Sequence, residues 1–330
     1  MIKFLLRKGE INDATAYYIG IIKKHLEYKG KQVEIVHSVY DIQKTDEVWV
    51  ITAKTFSLVW LKNPKQQISI WFQGIVPEEA MLTFEHTLFS KYIRKFYHEV
   101  LEKIALKYAK NIFFVSKSMF RHYQKKYGYL KSNYTIMPCF NQKLNIKGFN
   151  QEKYQHPTFL YAGALSKWQC IDRTLLIFKK VQQQIPNAKL FLFTSEKEKA
   201  KSLVEQYDIK NINIDYVAYN ELNEKIKHIK YGFLIRDDNS VNNVATPTKM
   251  NGYLANGIIP IYSNVVDDFK ENLKSQFLIS ADTDEDLVNK IVFFEQIKIN
   301  NSDIYEEYSL FFKEYYNDEY YVQHIEGIAN

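Results

Sequence analysis

The sequence predicts an α/β protein made of two doubly wound domains in tandem. Three observations carry this. Short runs of β-branched and aromatic residues alternate with longer amphipathic stretches from end to end. The short runs are almost continuously apolar, as strands covered on both faces of a parallel sheet are. One polar, aperiodic stretch, residues 141–157, breaks the alternation and reads as a linker between domains.

In the first half, strands are expected at 2–6, 33–37, 47–52, 68–72, 112–115 and 134–137. Helices are expected between them at 14–29, 54–62, 80–110 and 117–127. After the linker, strands are expected at 158–163, 189–193, 212–217, 231–236, 258–262 and 277–280. The matching helices are 171–184, 196–207, 219–229, 248–256, 265–273 and 284–295, and the aromatic-rich end 303–324 reads as one or two more. The domains divide as 1–145 and 146–303, with 304–330 a C-terminal helix packing back toward the first domain. In such a tandem the ligand site is expected in the cleft between domains.

Composition narrows the function classes. The chain has 330 residues, 46% hydrophobic and 25% charged, enough for two domains with sizeable cores. Its 25 Tyr and 22 Phe read first as a bias of the source and second as sugar-stacking surface. Cys139 and Cys170 form no CxxC or zinc spacing and no disulfide framework, which suits a reducing compartment. The opening apolar stretch ends at Arg7, too short for a signal peptide, and no run approaches the roughly 18 apolar residues of a spanning helix. A soluble, cytoplasmic protein is expected. The net charge of +6 is concentrated: between 91 and 131, eleven Lys and Arg face only Glu99 and Glu102. Mixed with Tyr92, Phe96, Tyr97, Phe120 and Tyr123, these cations suit the anionic inner face of a membrane, or else form a solvated basic face over core aromatics. No nucleic-acid module is recognisable, so no nucleic-acid partner is expected.

The richest stretch is YGFLIRDDNSVNNVATPTKMNGYLANGIIPIY, residues 231–262. A strand ends at Arg236 and a polar loop follows. Thr246 stands where an N-cap belongs, Pro247 at the first helical position and Gly257 at C′. A helix starting beyond the carboxyl end of a parallel strand offers free N–H groups and the positive end of its dipole. With the Thr248 hydroxyl, the Lys249 cation and Arg236, that makes a diphosphate site, or else a well-capped helix with a solvated lysine. Asp237 and Asp238 have the chemistry to bind a metal, but read rather as a turn or as ion-pair partners of Arg236.

A second stretch, FLYAGALSKWQ at 159–169, runs a strand into Gly163. A glycine there lets backbone approach a ligand, and Lys167 and Gln169 have the reach for phosphate oxygens. Trp168 is a stacking surface or core packing. The GxGxxG of a dinucleotide site is absent. In the first half, Gly9, Glu10 and Asn12 follow the first strand as an acceptor-contacting loop or a polar turn. Gln73, Glu78 and Glu79 follow the fourth as sugar-hydroxyl or acid/base candidates, or as the acidic first turn of a helix. The aspartates 282, 284 and 286 lack the glycine and terminal glutamate of a calcium loop. No metal site is expected.

The two stretches of the second half resemble GT-B fold glycosyltransferases, the family-four retaining type in particular. FFVSKSMFRHY at 113–123, YTIMPCF at 134–140 and WFQGIVPEE at 71–79 support the likeness. The resemblance implies transfer of a sugar from a nucleotide-sugar, held mainly by the second domain, to an oligosaccharide acceptor held by the first. The acceptor is expected to be lipid-linked, the product a surface glycan such as capsule or O-antigen, the source bacterial, and the stereochemistry retaining. No cofactor is implied beyond the donor itself. Gly163, Lys167, Gln169, Arg236, Pro247, Thr248, Lys249 and Tyr253 would meet the nucleotide, Asn242 and Asn243 the sugar, and Gln73, Glu78, Arg236 and Lys249 would serve the chemistry. Departures matter: Ala164 replaces an arginine, Gln169 a lysine, and Gly252 the glutamate that grips the ribose, while Val244 replaces a carboxylate. They motivate the alternative of a non-catalytic GT-B scaffold supporting a partner transferase; an epimerase of the same fold is a weaker reading.

Overall fold

The computed structural model of the chain describes residues 1–83, 88–129 and 131–325. It divides into two compact units: residues 1–141, 243–246 and 317 onward form the first, and 142–242 with 247–316 the second.

The first unit runs β1 (Ile2–Leu5), α1 (Asp13–Tyr28), β2 (Val33–Val36), β3 (Glu47–Val50), α2 (Ala53–Lys62), β4 (Gln67–Phe72), α3 (Val76–Thr83), α4 (Leu88–Tyr108), β5 (Ile112–Phe114), α5 (Lys117–Tyr127) and β6 (Tyr134–Ile136). All pairings are parallel, in the order β2-β1-β3-β4-β5-β6. The helix expected over 80–110 begins instead at Val76, because Pro77 and the acidic pair Glu78–Glu79 make a good first turn. Residues 84–87 of that expectation, like 326–330 of the expected C-terminal helix, lie outside the described residues.

The second unit runs β7 (Thr158–Ala162), α6 (Ile171–Gln184), β8 (Lys189–Phe193), α7 (Lys197–Gln206), β9 (Ile212–Asp215), α8 (Tyr219–Ile226), β10 (Tyr231–Leu234), α9 (Ser240–Val244), α10 (Thr248–Ala255), β11 (Ile259–Ser263), α11 (Asp267–Asn272), β12 (Ile279–Ala281), α12 (Asp284–Glu295) and α13 (Asn301–Glu314). The last residues of α9 are counted with the first unit. Its sheet is again all parallel, in the order β12-β11-β10-β7-β8-β9. α14 (Asp318–His324) follows and packs on α1 within the first unit. The expected α/β class of two Rossmann-like sheets is therefore what the chain forms.

Aromatic residues fill both cores. Tyr18 stacks on Trp71 at 3.8 Å and Trp49 on Phe4 at 5.6 Å in the first unit. Phe159 stacks on Tyr231 and Phe233 in the second. Much of the Tyr and Phe content is thus packing.

The stretch read as a linker is tied down from residue 142 onward. Gln142 N–H donates to Asn251 Oδ1, Asn145 N–H to the Ala255 carbonyl, and the buried Lys153 ammonium to the carbonyls of Gly148 and Asn256. Polarity hid this, because these backbone and side-chain groups of the stretch are spent on hydrogen bonds to α10 and to the chain beside it.

Candidate functional site

In the second unit the strand order reverses between β7 and β10. The chain builds outward through β7, β8 and β9, then returns to place β10 on the other side of β7, with Tyr231 opposite Phe159. Loops leaving the carboxyl ends of two such strands diverge and leave room for a ligand. Gly163 follows one strand and Arg236 the other. The topology thus brings the two sequence motifs together.

α10 begins here. Thr246 is not its N-cap. Pro247 is, and it makes no side-chain capping bond, because the Thr246 hydroxyl accepts from Cys139 N–H instead. The first turn of α10 therefore has no side-chain cap for its N–H groups, the arrangement that suits an anion. The other end follows expectation: Gly257 has φ +62°, its N–H meets the Leu254 carbonyl, and Ile258 N–H meets that of Tyr253.

Lys249, in that first turn, reaches across Gly163. It donates to Gln169 Oε1 at 2.9 Å and lies 4.2 Å above the Tyr161 ring. Gly163 has φ +142°, a backbone that strains any side chain, and a Cβ there would stand 2.8 Å from Lys249 Cε, so Lys249 would have to shift. Arg236 is only 4% exposed, and its guanidinium donates to the Ile235 carbonyl at 3.0 Å and the Gln169 carbonyl at 3.5 Å. No carboxylate among the described residues pairs with either cation. Asp237, expected as a partner of Arg236, pairs with Arg173 instead at 3.2 Å, and Arg173 also takes Asp284. Burial and the neighbouring Arg236 hold the Lys249 ammonium well below the ordinary lysine range. Burial also lowers Arg236. Two desolvated basic groups with no carboxylate partner among the described residues make an arrangement that a bound anion would offset.

Other candidates are placed as follows. Lys167 is exposed in a single 3-10 turn with Trp168 and Gln169. Ala164 accepts the Tyr161 hydroxyl at its carbonyl. Asn242 is buried, its amide donating to the Asp237 carbonyl, so it closes the loop, in which α9 was missed for want of apolar period. Asn243 falls in the segment counted with the first unit. Tyr253 is buried against Gly232, its hydroxyl donating to the Phe233 carbonyl. Gly252 lies 3.7 Å, at a Cβ, from Gln142 Nε2.

In the first unit Glu10 accepts the hydroxyls of Thr52 and Thr55, and Asn12 caps α1 through Thr15 N–H. Gln73 is exposed at the end of β4. Glu78 lies 2.6 Å from Lys126 Nζ and 3.6 Å from His122 Nε2. Lys126 also stands near Glu99 and Glu102. Glu102 is 1% exposed, accepts from Tyr123 and Tyr127, and is pushed up by burial to about 7. The sequence offers Glu78, Glu99 and Glu102 separately but not as a cluster, because their meeting at Lys126 depends on how the helices pack.

No protein-family model matches the chain, and no curated protein matches it in sequence. Solved structures do match in fold. WaaG, a glycosyltransferase of lipopolysaccharide biosynthesis, superposes with TM-score 0.67 at 12% identity, covering 98% of each chain. A glycosyltransferase from Rickettsia africae gives 0.63 at 12%, covering 97% of this chain and 95% of that one. A variant of S. aureus TarM in complex with fondaparinux, α-GlcNAc-glycerol and UDP gives 0.63 at 9%. It is matched over 86% of this chain and 56% of its own, so this chain spans little more than half of TarM. At these identities the likeness establishes the fold, which is GT-B.

Proposed function

We propose that the chain is a glycosyltransferase that moves a sugar from a nucleotide-sugar to a glycan acceptor in cell-surface glycan assembly. One observation carries the reading: Arg236 and Lys249 stand without a carboxylate partner beside the uncapped start of α10, at the switch point of the second sheet. The diphosphate of a donor fits that charge. As the glycosidic bond to the donor breaks, negative charge accumulates on the leaving phosphate. Fixed cations and helix N–H groups then stabilise the transition state more than the ground state. In this reading Lys249, Arg236 and Thr248 neutralise the leaving group, Gly163 admits it, and Lys167 and Gln169 flank it. The fold relatives named for lipopolysaccharide biosynthesis and for a UDP complex support the substrate class. A lipid-linked acceptor, retention of configuration, independence of metal, and action at the inner face of the membrane belong to the same proposal.

The second reading, a non-catalytic scaffold, is favoured by Gly252. It presents no side chain, and Tyr253 and Asn251 beside it are committed to Phe233 and Gln142. Calorimetric titration with uridine, guanosine and other nucleoside diphosphates decides between them. Saturable binding of one nucleotide is expected. Silence from all of them in a folded sample overturns the enzyme and leaves the scaffold.

A further inference from the structure

α4 is built unlike a surface helix. Its inward side carries Leu101, Glu102, Ala105 and Leu106, all buried. Its opposite side carries Phe89, Tyr92, Ile93, Phe96, Tyr97 and Val100, which are 80, 58, 52, 68, 47 and 39% exposed. The spacing of three and four residues puts these six on one stripe, opposite the buried face. Three turns of large apolar side chains in water form the kind of patch that marks an interaction surface. The other aromatics of the basic segment do not share it: Tyr123 is buried and Phe120 stacks on Tyr134.

Charge decides what the stripe fits. Lys103 and Lys107 continue it toward the C-terminal end of α4 and are exposed. The Lys131 ammonium, beyond α5, donates to the Lys107 carbonyl, and Lys103 Nζ lies 5.5 Å over the Tyr127 ring at the end of α5, so Lys131 joins Lys103 and Lys107 at the same end. A second copy of the chain would set one strongly basic segment against another, which opposes association. An anionic lipid surface reverses that sign. It also takes Phe and Ile into the acyl boundary while Tyr hydroxyls and Lys ammoniums stay among headgroups.

We propose that the 89–100 face of α4 is an interfacial anchor lying on an anionic bilayer, with Lys103, Lys107 and Lys131 against the lipid phosphates. This narrows the membrane contact of the proposed function to one helix face, and it stands independently of the donor chemistry. The test is flotation of the full chain with vesicles of phosphatidylglycerol and phosphatidylcholine, and with phosphatidylcholine alone. The wild type is expected to float with the anionic vesicles far more than with the neutral ones. Phe89→Ser with Phe96→Ser should lower partitioning about tenfold or more, since two exposed rings lose their burial in lipid. Lys103→Glu with Lys107→Glu should remove the preference for anionic lipid. Melting temperature and nucleotide titration, measured on the same samples, should not change. Flotation of the Phe pair equal to wild type, absence of wild-type flotation, or a dimer in sedimentation that Phe96→Ser breaks each overturns the anchor. Loss of nucleotide binding with flotation intact would strike the proposed function alone.

Discussion

Arg236 disfavours the charged form of Lys249, and no carboxylate among the described residues pairs with either, so the proposed site selects its ligand by negative charge. Lys249→Ala should weaken nucleoside diphosphate binding about tenfold or more, the worth of one charged hydrogen bond. Lys201→Ala, on the exposed side of α7, should leave it unchanged. Titration calorimetry reads both. The depressed ammonium adds a signature with a definite sign. A bound diphosphate favours the charged lysine, so binding takes up a proton when the free amine is partly neutral, and affinity falls as pH rises through that range. Calorimetry in buffers of different ionisation enthalpy counts the proton; release instead of uptake would contradict the assignment. Gly163→Ala combines a left-handed backbone with a 2.8 Å encounter with Lys249 Cε. It should cost about 1–3 kcal/mol of stability, measured by denaturant titration, and displace Lys249 as well.

α10 ends on a tight glycine turn and starts without a side-chain cap, and Gly252 in its middle is a position where a small substitution changes helix stability. Gly252→Ala places a Cβ at ordinary contact distance from Gln142 and should stabilise the protein by about 0.5–1 kcal/mol, raising the melting temperature. Gly252→Glu should keep or tighten nucleotide binding if the ribose lies one turn along, as an active enzyme requires. α4 and α5 show how differently two basic helices use their aromatics. α5 turns Tyr123 into the core, to Glu102, while α4 leaves its stripe in solvent.

At the scale of the whole molecule the two units carry buried titratable groups of opposite sense. Glu102, in the first unit, is raised from 4.5 to about 7 by burial. A raised carboxyl binds its proton more tightly folded than unfolded. The stability it contributes is present below 4.5 and lost as pH rises through about 7. Lys153, in the second unit, is lowered from 10.5 to about 7 by burial. Its contribution is present above 10.5 and lost as pH falls through about 7. Glu102→Gln should therefore flatten a decline in melting temperature on the acidic side, and Lys153→Met a rise on the alkaline side. Melting curves across pH for the three proteins check this, and slopes unchanged by either substitution would refute it. Among the described residues no helix is long and apolar enough to cross a membrane.

Read alone, the sequence determined the class and order of the elements, because strand and helix periods are local and survive without neighbours. The bounds of α5, α6, β8 and α12 are read directly from it, and so are the Gly257 turn and the two motifs at 159–169 and 231–262. Tertiary structure decided which polar residues are spent. Glu10, Asn12, Asn242 and Tyr253 look available in the sequence and are committed to threonines, caps and carbonyls once the chain closes. It alone brought Lys249 over Gly163 and Tyr161, gave Asp237 to Arg173 and, among the described residues, left Arg236 without a carboxylate. It also exposed one face of α4, because burial depends on what packs against a helix, and residue spacing carries no record of that.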